Sequence, residues 1–150
     1  MDKPRELAES IVHRYLTLVR YQRYRSNSIN RELNVSGRQL AVLRYLLQHS
    51  PCTVGEISAF LYVRDATTSP LLERMERDGY ITRRRCTQDN RKVLIEPTEL
   101  GRDLAQRAPL GTVALMRVKL PELSVEELEA IDAALRKLSE IAKVDETLLD

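Results

Sequence analysis

The chain has 150 residues, 24 Lys and Arg against 22 Asp and Glu for a formal net charge of +2, and a 43% hydrophobic fraction, which suits one domain with a modest core and excludes a second independent one. Its two cysteines, Cys52 and Cys86, have no CxxC spacing, which argues against a zinc site or a disulfide framework and fits a reducing cytoplasm, and no apolar run reaches the roughly 20 residues that span a bilayer. Charge is uneven: residues 1–50 carry +5, 51–100 carry 0 and 101–150 carry −3, so the acidic end is expected to face away from a polyanionic partner.

Leu7, Ile11, Tyr15 and Leu18 recur at helical spacing, predicting a helix from about Arg5 to Arg25. Val12, Leu16 and Val19 widen that stripe beyond what a small core absorbs, which points to a partner subunit. Ser26, Asn27, Ser28 and Asn30 read as a terminator or loop. Ser36 with Gln39 forms a capping-box pattern ahead of Leu40, Leu43 and Leu47, and that helix ends near Ser50-Pro51. Thr53 with Glu56 repeats the pattern at once, giving a short helix from about Val54 through Ile57 and Phe60 to Leu61.

The next helix has two candidate starts, Asp65 as cap, or Ser69 as cap with Pro70 at the first helical position. With Asp65 as cap, Pro70 removes a backbone donor and crowds the Ala66 carbonyl, so a bent first turn is expected. The helix continues through Leu71, Leu72 and Met75 and stops at Gly79. Tyr80 to Arg85 and Lys92 to Glu96 read as two strands joined by Thr87, Gln88, Asp89 and Asn90, with Val93 and Ile95 on one face and Leu94 on the other. Thr98 caps a helix through Leu100 and Leu104, which Pro109 and Gly111 break into two pieces. Ser124 with Glu127 opens a last helix, whose Leu128, Ile131, Leu135, Leu138 and Ala142 form the seam of a paired helix.

Two short helices and a hairpin that places Arg83, Arg84, Arg85, Arg91 and Lys92 around a lone Asp89 define the fold class. It is mainly α with a small β-hairpin, a winged helix-turn-helix with N- and C-terminal dimerisation helices. A single domain is divided into dimer helices over 1–34 and 99–150 and a DNA-binding lobe over 36–98. One helix is expected to fill the major groove of double-stranded DNA while the cationic loop reaches an adjacent minor groove. A two-fold homodimer would present one motif to each half of a palindromic site. His13 and His49 are not in a metal-spaced pair and no phosphate-cradling glycine loop occurs, so no enzyme, metal or cofactor is expected. A winged module for general nucleoid binding or protein contact is the competing reading.

The run Asp89-Asn90-Arg91, followed by Val93-Leu94-Ile95-Glu96-Pro97-Thr98-Glu99-Leu100-Gly101, resembles the wing and exit of the MarR family of bacterial winged-helix regulators. The resemblance extends from about Ser36 to Leu104. It comprises the family's Asp-x-Arg wing and Leu-Thr-x-x-Gly exit, with Pro97 in place of the usual Leu. Thr67-Thr68-Ser69-Pro70-Leu71-Leu72 looks closest to the organic-hydroperoxide-sensing OhrR branch, which favours Asp65 as the helix cap. That branch uses a reactive cysteine in the first helix, whereas no cysteine precedes Cys52 here, so its sensing residue does not carry over.

The resemblance implies a homodimeric repressor of promoter DNA released by a small-molecule effector. Thr67 and Ser69, with Thr68 as neighbour, would face the major groove, where short hydroxyls reach base edges. Arg91 would enter the minor groove from the wing tip, positioned by Asp89. Arg83, Arg84 and Arg85 alternate along a strand, so only one or two should meet phosphate; Lys92 adds to this patch, and Arg38 is a further phosphate partner. The family's effector pocket, which often takes aromatic acids, lies between the dimer helices and the DNA-binding lobe. His13, Tyr21, Tyr24 and Tyr45 are the candidates for its aromatic walls and polar ends. Cys86, beside Arg85, is the candidate for a lowered thiol pKa and a redox response.

Overall fold

The computed structural model describes residues 2–149. In chain order these form α1 (Lys3–Leu33), α2 (Gly37–His49), β1 (Cys52–Thr53), α3 (Val54–Leu61), α4 (Asp65–Arg77), β2 (Ile81–Arg85), β3 (Val93–Pro97), α5 (Glu99–Arg107), α6 (Thr112–Lys119) and α7 (Val125–Ile141). Single 3-10 turns occupy Leu120–Glu122 and Glu146–Leu148. No helix among the described residues is long and apolar enough to cross a membrane.

Local capping explains most of the boundaries. At α2 the Gln39 N–H donates to Ser36 Oγ at 3.1 Å and the Ser36 N–H donates to Gln39 Oε1 at 2.8 Å, so two otherwise unpaired donors are satisfied reciprocally. Thr53 and Glu56 do the same for α3, at 3.2 and 3.4 Å. At α7 the Glu127 N–H donates to Ser124 Oγ at 3.1 Å. The end of α4 is a left-handed reversal at Gly79, with φ +84°. The Gly79 N–H there donates to the Glu76 carbonyl at 3.0 Å and the Tyr80 N–H to the Met75 carbonyl at 2.9 Å.

The first helix runs well past the expected stop, through Ser26, Asn27, Ser28 and Asn30 to Leu33, where Asn34 turns left-handed at φ 55°. These polar residues are weak helix formers, but Ser26 and Ser28 are half-buried and Ile29 is buried. Packing therefore overrides local propensity.

The sheet has the order β1-β3-β2, all antiparallel, with Ile95 opposite both Cys52 and Arg83. β1 is a two-residue addition with no sequence pattern of its own. Pro97 closes β3 beyond the reach of β1, where its missing N–H leaves the β1–β3 ladder intact. The core gathers Leu40, Leu43 and Leu46 from α2, Ile57 from α3, Leu72 and Met75 from α4, and Ile81 and Ile95 from the sheet. Leu104 and Ala105 of α5 join it, as does Ile29 of α1.

The expected break between two helical pieces lies at Ala108–Gly111. Arg44 Nη2 donates to the Ala108 and Pro109 carbonyls at 3.4 and 3.1 Å, and Arg25 Nη2 donates to the Leu110 carbonyl at 3.1 Å. Three consecutive carbonyls are thus satisfied by side chains from two other helices. Burial lowers the Arg44 pKa from its ordinary value.

Candidate nucleic-acid interface

The helix that would enter the major groove starts at Asp65, and its cap is Arg64, with extended backbone and no side-chain capping bond. Asp65 is therefore the first helical residue, not the cap, placing a carboxylate where the helix dipole favours it. Ser69 and Pro70 lie inside the helix. The first turn is tight: the Thr67 and Thr68 N–H groups both donate to the Arg64 carbonyl, at 3.0 and 3.1 Å.

Thr68, Leu72 and Met75, spaced by four and three, are the buried face of α4. Thr68 is fully buried; its Oγ1 accepts from Ser58 Oγ at 2.7 Å and donates to the Arg64 carbonyl at 3.3 Å. This overturns its assignment to the groove: its hydroxyl joins α3 to α4. Thr67 and Ser69, one position to either side, are half-buried on the flanks. The outer face exposes Ala66, Pro70, Glu73, Arg74 and Arg77. Arg74 and Arg77 were not singled out in the sequence, because arginines late in a helix also serve as ordinary surface charges. A Thr68→Val variant should lose about 1–2 kcal/mol of stability, since Ser58 loses a buried partner, while the salt dependence of DNA binding stays unchanged. Chemical denaturation and anisotropy titrations read the two effects, and a flatter salt dependence would restore Thr68 to the interface.

In the wing, Asp89 Oδ1 accepts from the Arg91 N–H at 3.0 Å and from Arg91 Nε at 3.3 Å, and the Lys92 N–H donates to the Asp89 carbonyl at 3.0 Å. Asp89 thus shapes the turn and steers a guanidinium whose side chain is 93% exposed. Arg85 Nη1 braces the same tip by donating to the Asn90 carbonyl at 2.8 Å, and Lys92 is exposed beside it.

Arg83 and Arg84 have carboxylate partners instead. Arg83 donates through Nε and Nη2 to Glu76 Oε1 at 3.2 and 3.0 Å, tying the wing to α4. That bond holds the Glu76 carboxyl below its ordinary range. Arg84 on the opposite face of β2 donates to Glu96 Oε1 at 2.9 Å. Arg38 is exposed in the first turn of α2 and lines the rim of the large cavity described next.

A cavity of about 990 Å³ lies among α1, α2, the end of α3 and α6. Tyr45 lines it, as expected, but His13, Tyr21 and Tyr24 do not: they are exposed on α1, where Tyr21 and Tyr24 stand 6.2 Å apart. Its wall is a stacked column. The His49 ring lies 4.3 Å from Tyr45, Tyr45 lies 4.5 Å from Phe60, and the Arg117 guanidinium sits 4.1 Å above Phe60. Arg117 Nη2 also donates to the Phe60 carbonyl at 3.1 Å. The sequence concealed this column because its members come from three helices.

Cys86 is half-buried just beyond β2, and its thiol lies below the ordinary range because the backbone N–H groups of Gln88 and Asp89 donate to it. The wing turn, not Arg85, causes that shift. Cys52 is buried and donates to the His49 carbonyl at 2.9 Å; burial pushes its thiol up to about 11.

The chain is similar to several known proteins. The MarR family sequence model matches residues 35–93. The organic hydroperoxide resistance transcriptional regulator of Bacillus subtilis is 37% identical over 111 residues, 73% of each chain. The HTH-type transcriptional regulator MgrA of Staphylococcus aureus is 32% identical over 125 residues, 83% of this chain and 82% of that one. The solved MepR–DNA complex of S. aureus superposes with a TM-score of 0.62 at 25% identity, covering 89% of this chain and 97% of that one. With the capped helices, the α4–wing unit and these relatives in agreement, the chain belongs to the MarR family and is a winged-helix, DNA-binding transcriptional regulator.

Proposed function

We propose that this regulator is a cytoplasmic homodimer that occupies promoter DNA, represses transcription and is released by a small aromatic effector. The observation that carries the reading is the Arg83–Glu76 bond, because it couples α4 and the wing into one reader with Arg91 exposed at its tip. In this reading Thr67 and Ser69 approach base edges while Arg74 and Arg77 meet flanking phosphates. Arg91 enters the minor groove, Arg85 and Lys92 neutralise phosphates at the wing, and Arg38 adds one on the flank. Arg83 and Arg84 position the wing, and Asp89 positions Arg91.

Dimerisation is supported by apolar side chains that the single chain leaves exposed. On α1 these include Leu7, Ile11, Tyr15 and Leu18; on α6 and α7 they include Val113, Val118, Ile131 and Leu135. Residues 1–34 and 99–150 would form the dimer unit and 36–98 the reader, with α5 shared between them. Two-fold symmetry then presents two readers to the halves of a palindrome. The cavity beside Tyr45 suits an aromatic ligand: the stacked Phe60 and Tyr45 offer ring edges, Arg44 and Arg117 offer positive charge, and Thr112 Oγ1 is buried without a hydrogen-bond partner among the described residues. An effector there would favour a reader spacing that no longer fits successive major grooves.

The test is fluorescence anisotropy of the purified protein with the duplex upstream of its own gene and with a shuffled duplex, over a salt series. Tight, saturable binding to the first alone supports the regulator. Equal weak binding to both, with steep salt dependence, favours general nucleoid binding, and no binding to either favours a protein-contact module.

A further inference from the structure

The acidic end of the chain does not stay clear of the reader. At the end of α7, Lys143 adopts a left-handed φ of 56° and the Val144 N–H donates to the Ser139 carbonyl at 3.0 Å, which reverses the chain. The following turn is built by Asp145, whose Oδ1 accepts from the Thr147 N–H at 3.0 Å and from Thr147 Oγ1 at 2.6 Å. The turn presents the Thr147 carbonyl to the start of α4, where Arg64 Nη2 donates to it at 3.3 Å. The contact joins residues 83 positions apart, so it is not a by-product of local geometry.

Arg64 is the cap of the helix proposed to enter the major groove. In a helix-turn-helix this end of the recognition helix lies nearest the bases and their phosphates. Asp145 and Glu146 are exposed in the segment that reaches it, so the contact brings two carboxylates towards a surface that must accept a polyanion. We infer that residues 145–149 form an intramolecular acidic strap that competes with DNA phosphate for Arg64 and holds the free regulator below its full affinity for DNA. The inference rests on the DNA reading proposed above.

The strap is exchangeable by construction. A phosphate oxygen is a stronger acceptor for a guanidinium than a backbone carbonyl is, so DNA can displace Thr147. The carboxylates oppose that exchange through space, which makes their effect strongest at low ionic strength. Because the strap begins after α7 ends, removing it leaves the apolar faces of α1, α6 and α7 in place.

The experiment compares full-length protein with a chain ending at Val144 in anisotropy titrations on the native promoter duplex over a salt series. The shortened chain is expected to bind about five- to tenfold more tightly at low salt, and its log affinity should fall more steeply with log salt by about one unit per protomer, as one added phosphate contact requires. Arg64→Ala in both lengths should abolish the difference between them. A full-length double variant, Asp145→Asn with Glu146→Gln, should shift affinity in the same direction and covers a folding failure of the shortened chain. Full-length binding with no gain in either variant, or an equal gain when Arg64 is alanine, overturns the strap and leaves the DNA reading standing. No binding by either length overturns both.

Discussion

Gly101→Ala is expected to destabilise the protein by about 3 kcal/mol, near the upper end of overpacking costs. A Cβ at position 101 would run into the Tyr80 carbonyl oxygen and approach Leu43 Cδ2 to 3.0 Å. The carbonyl cannot swing aside, because it accepts the Thr98 N–H at 3.0 Å. Thr98 is itself pinned: its Oγ1 donates to the Gly79 carbonyl at 2.6 Å and accepts the Gly101 N–H at 3.1 Å. These bonds clamp the end of α4, the end of β3 and the start of α5 into one junction. The close approach also gives the physical reason for the glycine in the Leu-Thr-x-x-Gly exit. A native domain has only about 5–15 kcal/mol in total, so the melting temperature should drop by roughly 6–12 °C. Thermal melts followed by circular dichroism measure it, and a loss under about 1 kcal/mol would mean that the junction relaxes and is not clamped.

Arg91→Ala should have the opposite profile, with stability changed by less than about 0.5 kcal/mol and operator affinity lowered about tenfold or more per wing. The side chain is 93% exposed, so its pair with Asp89 contributes little to folding. In the proposed reading its value lies in a guanidinium held at the tip for a narrow, electronegative groove. Arg91→Lys should recover only part of the loss, since an ammonium keeps the charge but not the planar donor set. Salt-series titrations should show a slope reduced by about one per wing where Arg91 meets phosphate. Unchanged affinity across that series would remove Arg91 from the contact set.

What could be read from the residues was whatever short-range chemistry decides. Ser36 with Gln39 and Thr53 with Glu56 announce α2 and α3 because a cap is settled within four residues. Gly79 marks the end of α4 because few other residues accept its backbone angle. The length of α1 was hidden, because its extension depends on Ile29 packing into a core assembled elsewhere. The two-residue β1 exists only through its pairing with β3. At the site, the basic hairpin and the Asp89–Arg91 pair were legible from sequence order alone. The burial of Thr68 was not, because it depends on Ser58 across the helix turn. Nor were the partners of Arg83 and Arg84, which lie seven and twelve positions away.

The junction at Ala108–Leu110 gives the regulator a joint of unusual make. Among the described residues its carbonyls are clasped not from α5 or α6 but by Arg44 and Arg25, which belong to α2 and α1. Hydrogen bonds to a charged group of this kind contribute a net of about 1.5–3 kcal/mol each, far less than unwinding a helix would cost. The stiffness of the connection is therefore borrowed, and can be given back one clasp at a time without unwinding either helix. In the proposed reading, an effector would reposition the dimer helices against the readers by re-seating two guanidinium groups rather than by unfolding a helix.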